Sequence, residues 1–322
     1  MRTWLTDHLQ IEIPVVSAPM AGVAGGRLAR AVSAAGALGM VGIGTSADPA
    51  WIEQELSEAA SAGKPFGVGL IGWSVGDPAD ILPLVVAAGP ALVSVSYGGE
   101  LSDWVAGLHD AGITVATQVG TLDDARDADA IGVDVLVARG AEAGGHGRNQ
   151  VATLPLLQAV LEEIDAPVIA AGGIATARGV AAVLAAGAVG AWVGSAFATA
   201  TEADTGPHAR EAMVGAELTD TVYTRVFDLA QRLAWPREFG GRALVNGVTD
   251  TWAGREDELE RQPAALTALS DQVVSARADG DVSVAPVYAG QAVGLVSSVR
   301  PAARIVAELA TAEDLLRKAA GL

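Results

Sequence analysis

Asp134–Arg148 reads DVLVARGAEAGGHGR. The short β-branched run from Val133 to Val137 has the character of a strand buried on both faces. It breaks into a glycine-rich loop in which Gly144, Gly145 and Gly147 flank a single histidine, His146. Glycines at such a place admit positive φ and let a ligand approach the main chain. Parallel α/β proteins carry their chemistry on loops at the C-terminal ends of strands, so a titratable ring there is a candidate catalytic group.

Outward from this stretch the chain alternates strand-like and helix-like segments. Strands are expected at Pro14–Met20, Leu38–Gly44, Phe66–Ile71, Ala91–Ser96 and Ile113–Val119; the quoted stretch is the sixth, followed by Pro167–Ala171 and Gly190–Phe197. The intervening helices carry start signals: Asp48-Pro49 and Asp77-Pro78 place an N-cap before a proline at the first helical position, and Thr121 caps another helix. Eight strand–helix steps at this spacing predict an α/β chain folded as a (β/α)₈ TIM barrel. The eighth helix is displaced. Polar helical segments at Arg210–Leu218, Val222–Leu233 and Glu256–Ala278 intervene before a helical tail, Ala302–Ala319. Residues 1–202 and 290–322 are therefore expected to form the barrel, with 203–289 a mostly helical insertion over its mouth. The competing architecture is a doubly wound open sheet.

Bulk properties narrow the function. Of 322 residues, 51% are hydrophobic, 39 are glycine and 4% are aromatic, which suits a large interior packed with small side chains. A net charge of −18 argues against nucleic acid and against an anionic membrane surface as partners. There is no cysteine, which excludes disulfides, thiolate metal sites and thiol nucleophiles and agrees with the expected cytoplasmic location. Asp7 and Glu12 interrupt any apolar core an export signal would need. The uncharged run Gly179–Thr201 contains Gly187 and Gly190, and reads as a buried helix and strand, not a membrane span.

Several motifs fail on context. Gly67, Gly69 and Gly72 fit GxGxxG by letter but lie within the third strand, where no helix opens after them. GxxxxGK[ST] and HExxH are missing. His109 falls in the last turn of a helix, and His8 and His208 in polar segments. By contrast, Gly172-Gly173 follow the seventh strand and Gly194-Ser195 end the eighth, the two neighbouring loops through which a barrel commonly binds phosphate.

ARGAEAGGHG, IAAGGIAT and WVGSAF, together with SAPMAG near the start and YAGQAVGL near the end, resemble the nitronate monooxygenase family over nearly the whole chain. The resemblance implies an FMN-dependent barrel that oxidises alkyl nitronates with O₂ to a carbonyl compound and nitrite. Carried over by motif, Gly144, Gly173, Gly194 and Ser195 would hold the flavin phosphate and ribityl chain, Ala18, Pro19 and Met20 would back the ring, and His146 would be catalytic, with Glu142 a candidate to orient its loop. Arg139 stands where many relatives have Gln, and Gly69 where many have Asn; both positions commonly touch FMN, which makes Arg139 a further candidate contact. The partners implied are a small-molecule substrate and O₂, with a homodimer as the candidate assembly and no metal. The GGH loop also resembles the FMN-dependent enoyl-[acyl-carrier-protein] reductases, an alternative that needs a nicotinamide donor, as does a quinone-type oxidoreductase on the same barrel. A flavin-binding sensor is the non-enzymatic alternative.

Overall fold

The computed structural model describes residues 1–45, 48–75, 78–98 and 101–321. Eight parallel strands make the main sheet: β1 (Val15–Ser17), β2 (Gly39–Ile43), β3 (Phe66–Ile71), β4 (Leu92–Ser96), β5 (Thr114–Val119), β6 (Val135–Arg139), β8 (Val168–Ala171) and β9 (Gly190–Val193). The spatial order is β1-β9-β8-β6-β5-β4-β3-β2, so each strand lies beside its neighbour in sequence and β9 returns to β1. The ring closes where Val16 bridges Leu38, through Ser17 N–H to Leu38 O at 2.9 Å and Leu38 N–H to Val15 O at 2.9 Å. This is the (β/α)₈ barrel expected, and the order rules out the doubly wound sheet, which would reverse direction in its middle.

Both faces of the strands are buried, as continuous apolar runs require. In β6, Val135 and Val137 point into the barrel with Val16, Met40, Leu92 and Ile169, while Leu136 and Ala138 pack outward against the helices. The N-terminal helix Trp4–Leu9 closes the bottom: Leu5, Leu9 and Ile11 join that interior cluster, and Gly190 leaves the space that Leu5 fills, 2.4 Å from where a Cβ would stand. Toward the C-terminal ends, the last residues of the central strands change character to Ser94 and Ser96 on β4, Gln118 on β5 and Arg139 on β6. The apolar plug at one end and these polar groups at the other assign the chemistry to the second.

Asp48 caps the helix Pro49–Ala60 by accepting from Trp51 N–H at 2.9 Å, and Thr121 caps Leu122–Ala130 in a reciprocal capping box with Asp124, both as read from sequence. Asp77 of the other Asp-Pro pair lies outside the described residues; the helix after it is Pro78–Ala88. Gly67 and Gly69 lie inside β3 and Gly72 just beyond it, with no helix opening on them. The eighth strand is shorter than expected: it ends at Val193, and the chain turns at Gly194 into a four-residue helix, Ser195–Ala198, because that turn gives Phe197 and Ala198 their N–H acceptor in Gly194 O. The C-terminal helix is broken at Thr311 into Ala302–Ala310 and Ala312–Ala319, and buries Ile305, Val306 and Leu309 in the main core. No helix among the described residues is long and apolar enough to cross a membrane, the run Gly179–Thr201 included.

Between β9 and those helices the chain contains helices Pro207–Gly215, Val226–Gln231, Gly247–Trp252, Glu256–Glu260 and Pro263–Asp279 and two strands, β10 (Thr221–Thr224) and β11 (Gly240–Leu244). These strands differ from the all-helical reading of Val222–Leu233. Thr221–Thr224 is made of strand formers but is short and runs straight into the helix Val226–Gln231; it pairs antiparallel with β11, which pairs in turn with β7 (Gly145–Gly147) of the glycine loop. Val226, Phe227, Leu259, Leu269 and Val273 give this segment a small core of its own.

Candidate active site

His146 sits at the centre of β7, opposite Gly241 of β11. Its Nε2 lies 2.7 Å from Asp228 Oδ1, and the two side chains are only 11% and 6% exposed. A carboxylate only accepts, so the pair is satisfied with the proton on Nε2, which leaves the lone pair on Nδ1. The imidazole stacks on the Trp235 ring with centroids 3.7 Å apart and planes within 2°, and tilts against Tyr288 at 5.2 Å. Gly241 is required beside it, because a Cβ there would meet Tyr288 Cε1 at 2.7 Å. Tyr288 Oη is buried without a hydrogen-bond partner among the described residues; burial pushes its ionisation well above the usual phenol range, and the nearby Gln231 offsets this only in part.

Two buried guanidiniums shape the loop that carries the histidine. Arg139 Nη2 donates toward the carbonyls of Ala143, Gly144 and Gly145 at 3.3, 3.0 and 2.9 Å. Arg242 donates to Ala141 O at 2.9 Å and to Asn149 Oδ1 at 3.0 Å. Desolvation lowers the pKa of both, and no carboxylate lies within ion-pair distance of either among the described residues. Gly147, at φ 155, passes so close to Arg139 that a Cβ would fall 2.0 Å from Nη1. Glu142 anchors the other flank: its Oε2 accepts from Thr153 N–H at 2.8 Å and Thr153 Oγ1–H at 2.9 Å, standing in for the cap that Ala152 cannot provide to the helix Thr153–Glu163. Tyr223 Oη donates to Gly147 O at 3.0 Å, so the β10–β11 hairpin holds the same loop.

A second cluster lies at the ends of β1, β8 and β9. Ala18 N–H donates to Val193 O at 2.8 Å, and Gly194 faces Ala18 Cβ and Met20 Sδ. Gly173, at φ 70, faces the Glu142 side chain. The N–H groups of Gly173, Gly194 and Ser195 donate to no acceptor among the described residues, so three donors stand at the rim of the mouth. Ser195 Oγ accepts from Gly290 N–H at 3.0 Å, and Gly290 and Gly144 pack so closely that a Cβ on either would strike the other's backbone region. Pro19 lies over β3, where Gly69 gives it room: a Cβ at Gly69 would fall 2.2 Å from Pro19 Cγ.

The family model for nitronate monooxygenase matches residues 2–81 and 72–312. The chain belongs to the nitronate monooxygenase family. It is similar to a nitronate monooxygenase of Paraburkholderia phytofirmans, 32% identical across 95% of this chain and 93% of that protein. Among solved structures it is similar to FabK from Thermotoga maritima (TM-score 0.84, 30% identity, 100% of this chain and 99% of that one) and to nitroalkane oxidase from Streptomyces ansochromogenes (TM-score 0.80, 28% identity, 98% and 99%).

In this nitronate monooxygenase family member the residues singled out from sequence fall into two groups. Ala18, Met20, Gly194 and Ser195 meet at one side of the mouth, next to Gly173 and Gly144 through the loop at Gly290. Arg139, at the end of β6, turns to the carbonyls of the glycine loop that carries His146. Sequence reasoning missed Asp228, Trp235, Tyr288 and Arg242. Asp228 is 82 residues from His146, on a segment whose composition marks nothing. Tyr288 alone had a signal, since it opens the quoted YAGQAVGL motif.

Proposed function

We propose that this protein oxidises alkyl nitronates with O₂ to a carbonyl compound and nitrite, using FMN held at the barrel mouth, and that it accepts neutral nitroalkanes by first removing their α-proton. The observation that carries the reading is the buried His146–Asp228 pair stacked on Trp235 beside a rim of unengaged backbone donors, in a chain of this family. The residues present suit FMN: free N–H groups at Gly173, Gly194 and Ser195 match a phosphate, as in the corresponding loops of many barrels. On this reading Gly144, Gly173, Gly194 and Ser195 hold the phosphate and ribityl chain, Ala18, Pro19 and Met20 back the ring, Arg139 borders it, and the segment 203–289 covers the mouth.

FMN bound there supplies the electron transfer between substrate and O₂. The protein's own part is acid–base and positional. Asp228 accepts from Nε2–H, so Nδ1 of His146 is the atom that takes the α-proton of a nitroalkane. After that transfer the imidazolium, still bound to Asp228, offsets the negative charge on the nitronate. Trp235 restricts the ring to one plane and, with Tyr288, keeps water from it. The test is direct. Titration with FMN should quench flavin fluorescence, and the reconstituted protein should consume O₂ and release nitrite from ethyl nitronate. No binding at saturating FMN overturns the proposal.

A further inference from the structure

Beside the histidine lies a cavity of about 300 Å³, of whose lining the reading above uses only Arg139. It begins at the mouth, where Gly147, the residue after His146, and Gln118 and Arg139 form its inner end, and runs outward between β4, β5 and the helices Leu101–Asp110 and Leu122–Ala130. Its walls are mostly apolar: Leu101, Val119, Ala128, Ile131, Phe239 and the ring of Tyr97. Of the two cations that line it, Arg148 is paired: its Nε lies 2.8 Å from Asp124 Oδ2 and its guanidinium covers the Phe239 ring at 5.1 Å. Arg139 directs Nη2 to the loop carbonyls.

Tyr97 is the telling residue. Its φ of 72° is left-handed, a conformation that a bulky side chain adopts only when its surroundings impose it. Tyr97 Oη donates to Gln118 Oε1 at 2.8 Å, and its ring meets Trp235 and Phe239 edge-on, both centroids at 5.4 Å. This strained aromatic therefore stands between the cavity and the Trp235–His146 stack.

We propose that this cavity takes the apolar tail of the substrate, and that the preferred substrates are nitronates with an unbranched alkyl tail longer than ethyl, steered past Tyr97 and Phe239. The inference rests on the nitronate reading and extends it to specificity. An anionic tail is disfavoured at the outer end, where Asp124 and Asp127 line the wall and Arg148 is already paired, and a branched one because the passage beside Tyr97 is bounded by rings on both sides.

The experiment compares kcat/KM for ethyl, butyl, hexyl and octyl nitronates in the FMN-reconstituted full chain. Each methylene newly buried is worth about fourfold, so hexyl nitronate should exceed ethyl nitronate by at least about tenfold. Ala128→Phe fills the cavity from a helix remote from His146; it should flatten that series to within about twofold while ethyl nitronate turnover stays within about twofold of the parent. Leu101→Trp, which fills it from the opposite wall, repeats the test should the first variant lose its cooperative melting transition. Ethyl nitronate turnover with no dependence on chain length overturns the pocket and leaves the proposed function standing. A steep series that survives in a folded, filled variant overturns it equally. Loss of turnover with every nitronate removes the functional reading itself, and the pocket with it.

Discussion

His146 and Asp228 form a unit whose two members are expected to fail differently. His146→Ala removes the base, and turnover of neutral nitroalkanes should fall by about 10²- to 10⁴-fold. Ethyl nitronate, already deprotonated, should lose much less, and FMN should stay bound because its proposed contacts lie at Gly173, Gly194 and Ser195. Asp228→Asn keeps the size but can present an N–H to Nε2, which favours the wrong tautomer; the loss should again be concentrated on neutral nitroalkanes. Steady-state rates with the paired substrates check both, and equal losses on the two would reduce the pair to a structural role. His146 was legible in sequence because its glycine neighbours announce a close-approach loop at a strand end. Asp228 was not, because an acid acquires meaning only from the ring it faces, and here the fold brings the two together across 82 residues.

Elements became legible in proportion to how far their own periodicity determined them. The barrel strands are buried on both faces, and their apolar runs say so without help. The β10–β11 hairpin has no such signature: Thr221–Thr224 is half-exposed, and its pairing is fixed by partners on β7 that a local reading does not include. The SAPMAG turn shows the same dependence. Pro19 occupies the volume that a side chain on β3 would need, so Gly69→Asn should not be accommodated with Pro19 in place. Overpacking of this kind costs about 1–3 kcal/mol. Chemical denaturation should show that loss, and a variant of unchanged stability would mean that Pro19 moves freely. Arg139→Ala should loosen the glycine loop instead, since the carbonyls of Gly144 and Gly145 lose their shared donor. Losing hydrogen bonds to these partly exposed carbonyls costs about 0.5–1.5 kcal/mol each, and hydrogen exchange should quicken in residues 143–147 before it does in the barrel strands.

The whole molecule poses the question of what reduces it. A (β/α)₈ barrel with free backbone donors at its rim serves many chemistries, so the architecture does not choose the electron donor, and that limit was present in the sequence as much as in the fold. The choice falls to what the chain offers a donor. Gly67 and Gly69 are buried in β3 and no helix opens on them, so the one GxGxxG in the chain has no strand–turn–helix setting in which to hold a dinucleotide. The Nδ1 lone pair of His146, the base proposed above, suits by contrast a small acid with an activated C–H. Anaerobic mixing of the FMN-reconstituted protein with ethyl nitronate should therefore bleach the flavin absorbance within the time of turnover, and admission of air should restore it while O₂ is consumed. NADH and NADPH should bleach it far more slowly. Stopped-flow absorbance decides between them: rapid bleaching by a nicotinamide with none by nitronate would transfer the assignment to a reductase on this barrel. His146 would then have to be examined as a proton donor to the reduced product, a role the same Asp228 contact could serve with the imidazole charged.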